Sequence, residues 1–174
     1  MKRALAVLAL VVALGAAYVF LVRDSTVAPR LHAPRAVAVL SSGEEAVAVT
    51  GTGALVPWLP LPEEVDLPQL PPLEAPRGGR LAGPMLEQAR VLGAAPAALR
   101  PHLARSYYGE SGVDVETTSG IELRFGDASQ AARKWRAAAV VLADPSIDAL
   151  DYVDLHSPAR PAVGGSGHAL PPAP

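Results

Sequence analysis

The chain contains no cysteine. That excludes a disulfide framework, thiolate zinc ligation and a cysteine nucleophile. It leaves the redox compartment open, because exported proteins also do without cysteine. Aromatic residues are only 5% of the chain, so its 50% hydrophobic content is mostly Ala, Val and Leu. Basic excess is absent too: the net charge is −2. Nothing in that balance grips a phosphate backbone, and nucleic acid is not an expected partner.

Chemistry-bearing patterns are equally scarce. The four histidines, His32, His102, His156 and His168, form no pair at metal-ligand spacing and are expected at the surface. Glu44-Glu45 and Glu63-Glu64 are neighbours in turns, and sequence neighbours do not converge on a substrate. Ser41 and Ser166 have glycine neighbours but no strand-turn-helix context for a nucleophile elbow. Gly164-Gly165-Ser166-Gly167 has no helix after it, so it is not a phosphate loop. The expectation is a non-enzyme with no cofactor, no metal and no small-molecule substrate.

What is abundant is glycine and proline, 15 and 18 residues, gathered into connections. The N-terminus is different. Lys2 and Arg3 precede an uncharged run over residues 4–22, closed by Arg23 and Asp24. At 1.5 Å per residue the run reaches roughly 28 Å, about one hydrocarbon core. The leading positive charges predict a cytoplasmic N-terminus and an exported remainder, with Tyr18 and Phe20 near the outer interface. The competing reading is a cleaved signal peptide, with Gly15, Ala16 and Ala17 as small residues for a peptidase. Either way the remainder lies outside the cytoplasmic membrane.

Beyond a linker over 24–34, the pattern predicts an α+β domain over 35–158, a small mixed sheet with packed helices. Strands are expected at 36–40, 46–50 and 54–56. The proline-rich stretch 57–83 is expected as extended loop outside the sheet. Pro84 opens a helix ended by Pro96, and a further helical turn or two, broken by Pro101, covers 97–104. A hairpin follows, with Val113 and Val115 on one strand, Thr118-Ser119-Gly120 in the turn, and Ile121, Leu123 and Phe125 on the return. Asp127 and Gln130 form a capping-box pattern before a helix. Trp135 lies on that helix's apolar stripe, and Arg133, Lys134 and Arg136 face elsewhere. Pro145 stops it. Residues 148–156 read as the closing strand, and 159–174 as a disordered tail.

The order of these last elements carries a resemblance. A strand reading Gly120-Ile121-Glu122-Leu123-Arg124-Phe125-Gly126 leads to a helix with Ala132-Arg133-Lys134-Trp135. That helix leads to Tyr152-Val153-Asp154-Leu155-His156. This resembles the C-terminal β domain of the FtsQ/DivIB bacterial cell-division proteins. There the helix carries a lysine near its middle, matched by Lys134, and the closing strand commonly reads Tyr-Ile-Asp-Leu-Arg, with His156 here replacing Arg. Upstream, Arg35-Ala36-Val37-Ala38 and Leu67-Pro68-Gln69-Leu70 look like the family's opening strand and its Leu-Pro-x-Leu, and Gly51-Thr52-Gly53 stands at a family turn. One departure is large. The family places a POTRA domain, associated with recruitment to the division site, between membrane helix and β domain. Here about a dozen residues separate Val22 from Arg35, too few for a domain.

The resemblance implies a single-pass membrane protein of the divisome, acting in septum formation by protein–protein interaction. Its implied partners are the membrane-anchored coiled-coil proteins FtsB/DivIC and FtsL. The last strand would lie at a sheet edge and add a partner strand, a role carried here by Tyr152, Val153, Asp154, Leu155, His156 and Ser157. Ser157 stands where the family favours an aromatic. Two other readings stay open: an envelope protein of unrelated function, anchored or secreted, and a secreted hydrolase, which would require a convergent catalytic site.

Overall fold

In the computed structural model the described residues are 34–42, 45–61, 67–73 and 78–170. The expected membrane segment lies outside them, as do His32, Glu44, Glu63 and Glu64. Among the described residues no helix is long and apolar enough to cross a membrane.

The architecture is α+β, built on one mixed sheet. Its strands are β1 (Ala36–Ser42), β2 (Glu45–Thr50), β3 (Leu55–Val56), β4 (Gln69–Leu70), β5 (Leu103–Gly109), β6 (Gly112–Thr117), β7 (Glu122–Gly126), β8 (Ala149–Asp154) and β9 (Ala162–Ala169). They lie side by side in the order β3-β2-β1-β4-β5-β6-β7-β8-β9. Pairing is antiparallel within the hairpins and parallel at β1/β4, β4/β5 and β7/β8. Helix α1 (Gly83–Gly93) and helix α2 (Ala131–Leu142) pack on each other and on the sheet.

Alternation builds the core. Val113 and Val115 on β6, Leu123 and Phe125 on β7, and Val153 on β8 are fully buried. The expected hairpin is present, and Thr117 locks its turn: its Oγ1 accepts the Ile121 N–H at 3.0 Å. Trp135 is fully buried, as its place on the stripe predicts. Its ring lies 4.7 Å from that of Phe125, and its Nε1–H donates to the Val91 carbonyl of α1 at 2.7 Å. The C-terminal end of α1 meets the β2–β3 turn where Gly93 faces Gly51. A Cβ on either would come within 3 Å of the other's Cα, so both positions need glycine.

Several expectations require correction. The proline-rich connection does enter the sheet: β4 sits between β1 and β5. Its two residues are flanked by Pro68 and Pro71, so no proline has to donate within it, and Pro68 only accepts, from the Val39 N–H at 3.0 Å. The helical turns expected over 97–104 shrink to a 3-10 turn, Arg100–His102, after which the chain runs on as β5. Helix α1 stops at Gly93, short of Pro96.

Asp127 is not the cap of α2. Gln130 holds that place with φ 51° and no side-chain cap. The Asp127 carboxylate instead accepts from Ser129 and from Lys134. Lys134 therefore does not face away. It is 2% exposed, and its Nζ donates to the Phe125 carbonyl at 2.8 Å, the Asp127 carbonyl at 3.1 Å and Asp127 Oδ1 at 2.7 Å. A buried ammonium is tolerated because all three of its protons are used. Finally, most of the expected tail is ordered: β9 runs through it and extends the domain past residue 158.

Candidate functional site

β9 changes where the sheet ends. The strand carrying Tyr152, Val153 and Asp154 has β7 on one side and β9 on the other, so it is not the edge. That part of the expectation is corrected, and the reason is physical. Glycines weaken a strand by entropy, yet a two-stranded ladder against an already formed β8 offsets that cost. After the turn in which the Arg160 N–H donates to the Ser157 carbonyl at 3.0 Å, the chain folds back along β8.

The remaining residues of the expected partner strand sit as follows. Leu155 is fully buried and donates its N–H to the Arg124 carbonyl at 2.8 Å. His156 is exposed, with Nδ1 2.8 Å from Asp154 Oδ1 and Nε2 3.3 Å from the Ser111 carbonyl. The Asp154 contact raises the imidazole pKa against the effect of burial. Ser157 is exposed in the turn. The Tyr152 ring is covered by Arg124, whose guanidinium carbon lies 4.0 Å from its centroid.

Which groups of β9 face outward follows from the ladder. The Leu155 N–H points to β7, and the Leu170 N–H donates to the Asp148 carbonyl at 3.2 Å. Backbone groups alternate along a strand, so those of Leu150, Tyr152 and Asp154 point to β9. Their opposite numbers His168, Gly164 and Ala162 point inward. Val163 therefore turns its N–H and C=O outward. Its side chain is 45% exposed. Among the described residues the outward N–H and C=O of Val163 meet no strand, and sequence reasoning missed this edge. The available signal was a single Val after Pro161, facing Val153 across a short turn.

The polar face of the sheet carries a hydrogen-bonded network. Glu122 accepts from the Tyr107 hydroxyl and from Arg124, both at 2.8 Å. Arg124 chiefly holds the Glu122 carboxyl below its usual range, and burial, then Glu122, pushes the Tyr107 phenol up. Asp114, 6% exposed, is pushed up to about 6 by burial and by Glu122, with Arg124 and His156 acting the other way. Its Oδ1 has no partner among the described residues.

Between the 3-10 turn, the β6–β7 turn and the end of α2 lies a groove of about 700 Å³. Its lining is mostly apolar and includes Leu99, Ile121, Trp135, Leu142 and Leu170. Among the described residues, no group of three or more His, Asp or Glu is placed to hold a metal ion. No protein-family model matches the chain, and no curated protein matches it.

Proposed function

We propose that this chain is a non-catalytic, single-pass membrane protein of bacterial cell division, binding its partners by strand addition at the β9 edge. The observation that carries the reading is the outward backbone pair of Val163 on the last strand of the sheet. An edge strand presents unpaired N–H and C=O groups, and an extended segment of a partner satisfies them. The likeness of the β7-α2-β8 order to FtsQ/DivIB proteins names the pathway. It also names the partner class, the coiled-coil division proteins of the FtsB/DivIC and FtsL kind. In this reading Tyr152, Val153 and Asp154 back the partner strand through β9 and do not touch it. The N-terminal run anchors the chain with its N-terminus in the cytoplasm.

The test is localisation together with capture. A fluorescent fusion on the exported side should form a ring at midcell, and a tagged full chain should bring down coiled-coil division proteins from a membrane extract. Uniform membrane signal without such partners would favour the other reading, an envelope protein of unrelated function, for which the short 24–34 linker in place of a POTRA domain is the present argument.

A further inference from the structure

β9 does not run straight along β8. The pairs Leu150↔His168 and Tyr152↔Gly164 enclose one residue of β8, Asp151, against three of β9: Gly165, Ser166 and Gly167. Two extra residues are thus pushed out of the ladder. In an unbulged strand Gly165 and Gly167 would share the outward parity of Val163 and lengthen the free edge. Here Asp151 intervenes: its Oδ1 accepts the Gly167 N–H at 2.8 Å. Gly165 turns beside it at φ +80°, and a Cβ there would lie 1.9 Å from Asp151 Oδ2. A side chain at that position would meet both a strained backbone and the carboxylate.

We propose that Asp151 is a clasp that holds β9 in this bulged form, confining strand addition to a short extended partner segment paired through Val163 and keeping two copies of the chain from pairing edge to edge. The proposal rests on the reading of β9 as the partner edge. The bulge divides the edge into the stretch 162–164 and the end of the strand near Ala169, so no long flat run of donors and acceptors is offered. Bulges blunt edges in this way. The partner that fits is an extended segment a few residues long, with an apolar side chain to lie beside the exposed Val163. A long β-strand does not fit.

Two substitutions separate the clasp from mere side-chain loss. Asp151→Asn keeps the Oδ1 acceptor, whereas Asp151→Ala removes it. Amide exchange would be followed by NMR on the full chain in detergent micelles, and self-association by sedimentation of the same samples. Gly167 should exchange slowly in wild type and in Asp151→Asn, and about tenfold or more faster in Asp151→Ala, with Leu123 and Val153 unchanged in all three. Asp151→Ala should also self-associate where wild type and Asp151→Asn stay monomeric. Equal Gly167 exchange in wild type and Asp151→Ala overturns the clasp. Faster exchange without self-association overturns its control of the edge. Both readouts need no partner. Failure of the wild type to capture coiled-coil division proteins would count against the proposed function and leave these two results standing.

Discussion

The indole Nε1 of Trp135 donates to the carbonyl of Val91 at 2.7 Å, tying α2 to α1 beneath the sheet. The same carbonyl also accepts the Ala94 N–H at 3.1 Å, so it keeps one partner if the indole is lost. The two roles of Trp135, volume and hydrogen bond, can therefore be separated. Trp135→Ala should cost about 3–5 kcal/mol, as truncation of a fully buried aromatic does. Trp135→Phe keeps a ring against Phe125 and should cost about 1–2 kcal/mol. Urea unfolding followed by circular dichroism measures both. A cost within about 0.5 kcal/mol for the alanine variant would contradict the packing described.

Lys134 makes a second prediction. Lys134→Met keeps the aliphatic stem and removes three donated hydrogen bonds, two of them to carbonyls at the β7–α2 junction. The expected loss is about 1–3 kcal/mol at neutral pH. The acid limb should change as well. Lys134, then Ser129, holds the Asp127 carboxyl down at about 2. A depressed carboxylate stabilises the fold above its unfolded pKa, and that contribution is lost as pH falls toward the folded value. The wild type should therefore lose stability from about pH 4 down to pH 2, and Lys134→Met should lose less over that window. Because the Asp127 side chain is 63% exposed, solvent screens the pair and the difference will be small. Parallel acid limbs would remove Lys134 as the cause.

Much of the domain was legible because period-2 alternation survives where both strands are regular, as at Val113, Val115, Leu123 and Phe125. β5 was not legible: a register shift between Leu103 and Arg105 puts Leu103 and Ser106 inward, three residues apart, which mimics a helical turn. Ser106 is tolerated in the core because its hydroxyl donates to the Asp114 carbonyl at 3.1 Å. β4 was hidden by its prolines, since the rule against proline in a sheet applies only to residues that must donate. Asp127 and Gln130 matched a capping box in spacing, but Lys134 competes for the carboxylate and wins. The sheet edge was misplaced by one strand. Ala162 to Ala169 has three glycines and one exposed Val among its residues, and only a structure reveals the β8 backbone waiting to pair with it.

Asp114 predicts a pH effect of opposite sign to Asp127. Its folded pKa of about 6 lies above the ordinary 3.8. A raised carboxyl favours the fold while protonated, and that contribution is lost as pH rises through the folded value. Stability should thus decline between about pH 4 and pH 7 from this group, by at most about 3 kcal/mol at 1.36 kcal/mol per unit. Asp114→Asn removes the charge, so the variant should melt higher than wild type at pH 7.5 and at the same temperature at pH 4. Glu122, Arg124, Asp154 and His156 all face this carboxyl and remain in both proteins, which makes the comparison internal. A melting difference that does not vary with pH would show that burial of the charge is not the cause.

The last prediction concerns the edge itself. Proline inside a ladder removes a hydrogen bond, but at Val163 the N–H points outward, away from β8. Val163→Pro should therefore spare the fold, as proline does on edge strands, and change the thermal midpoint little. It should abolish capture of coiled-coil division proteins, because the outward donor is gone and the Val163 side chain with it. His156→Glu and Ser157→Glu lie in or before the β8–β9 turn, not on the free edge, and Ser157→Tyr adds an aromatic there. These three should leave capture close to wild type. The measurement is co-purification of each tagged full chain from membrane extracts, with melting curves alongside. Capture that survives Val163→Pro but falls with His156→Glu or Ser157→Glu would place the partner on the turn and remove strand addition as the mechanism. Capture lost with Val163→Pro but kept with the three turn variants would place the partner on the outer side of β9, where the Val163 N–H faces away from β8.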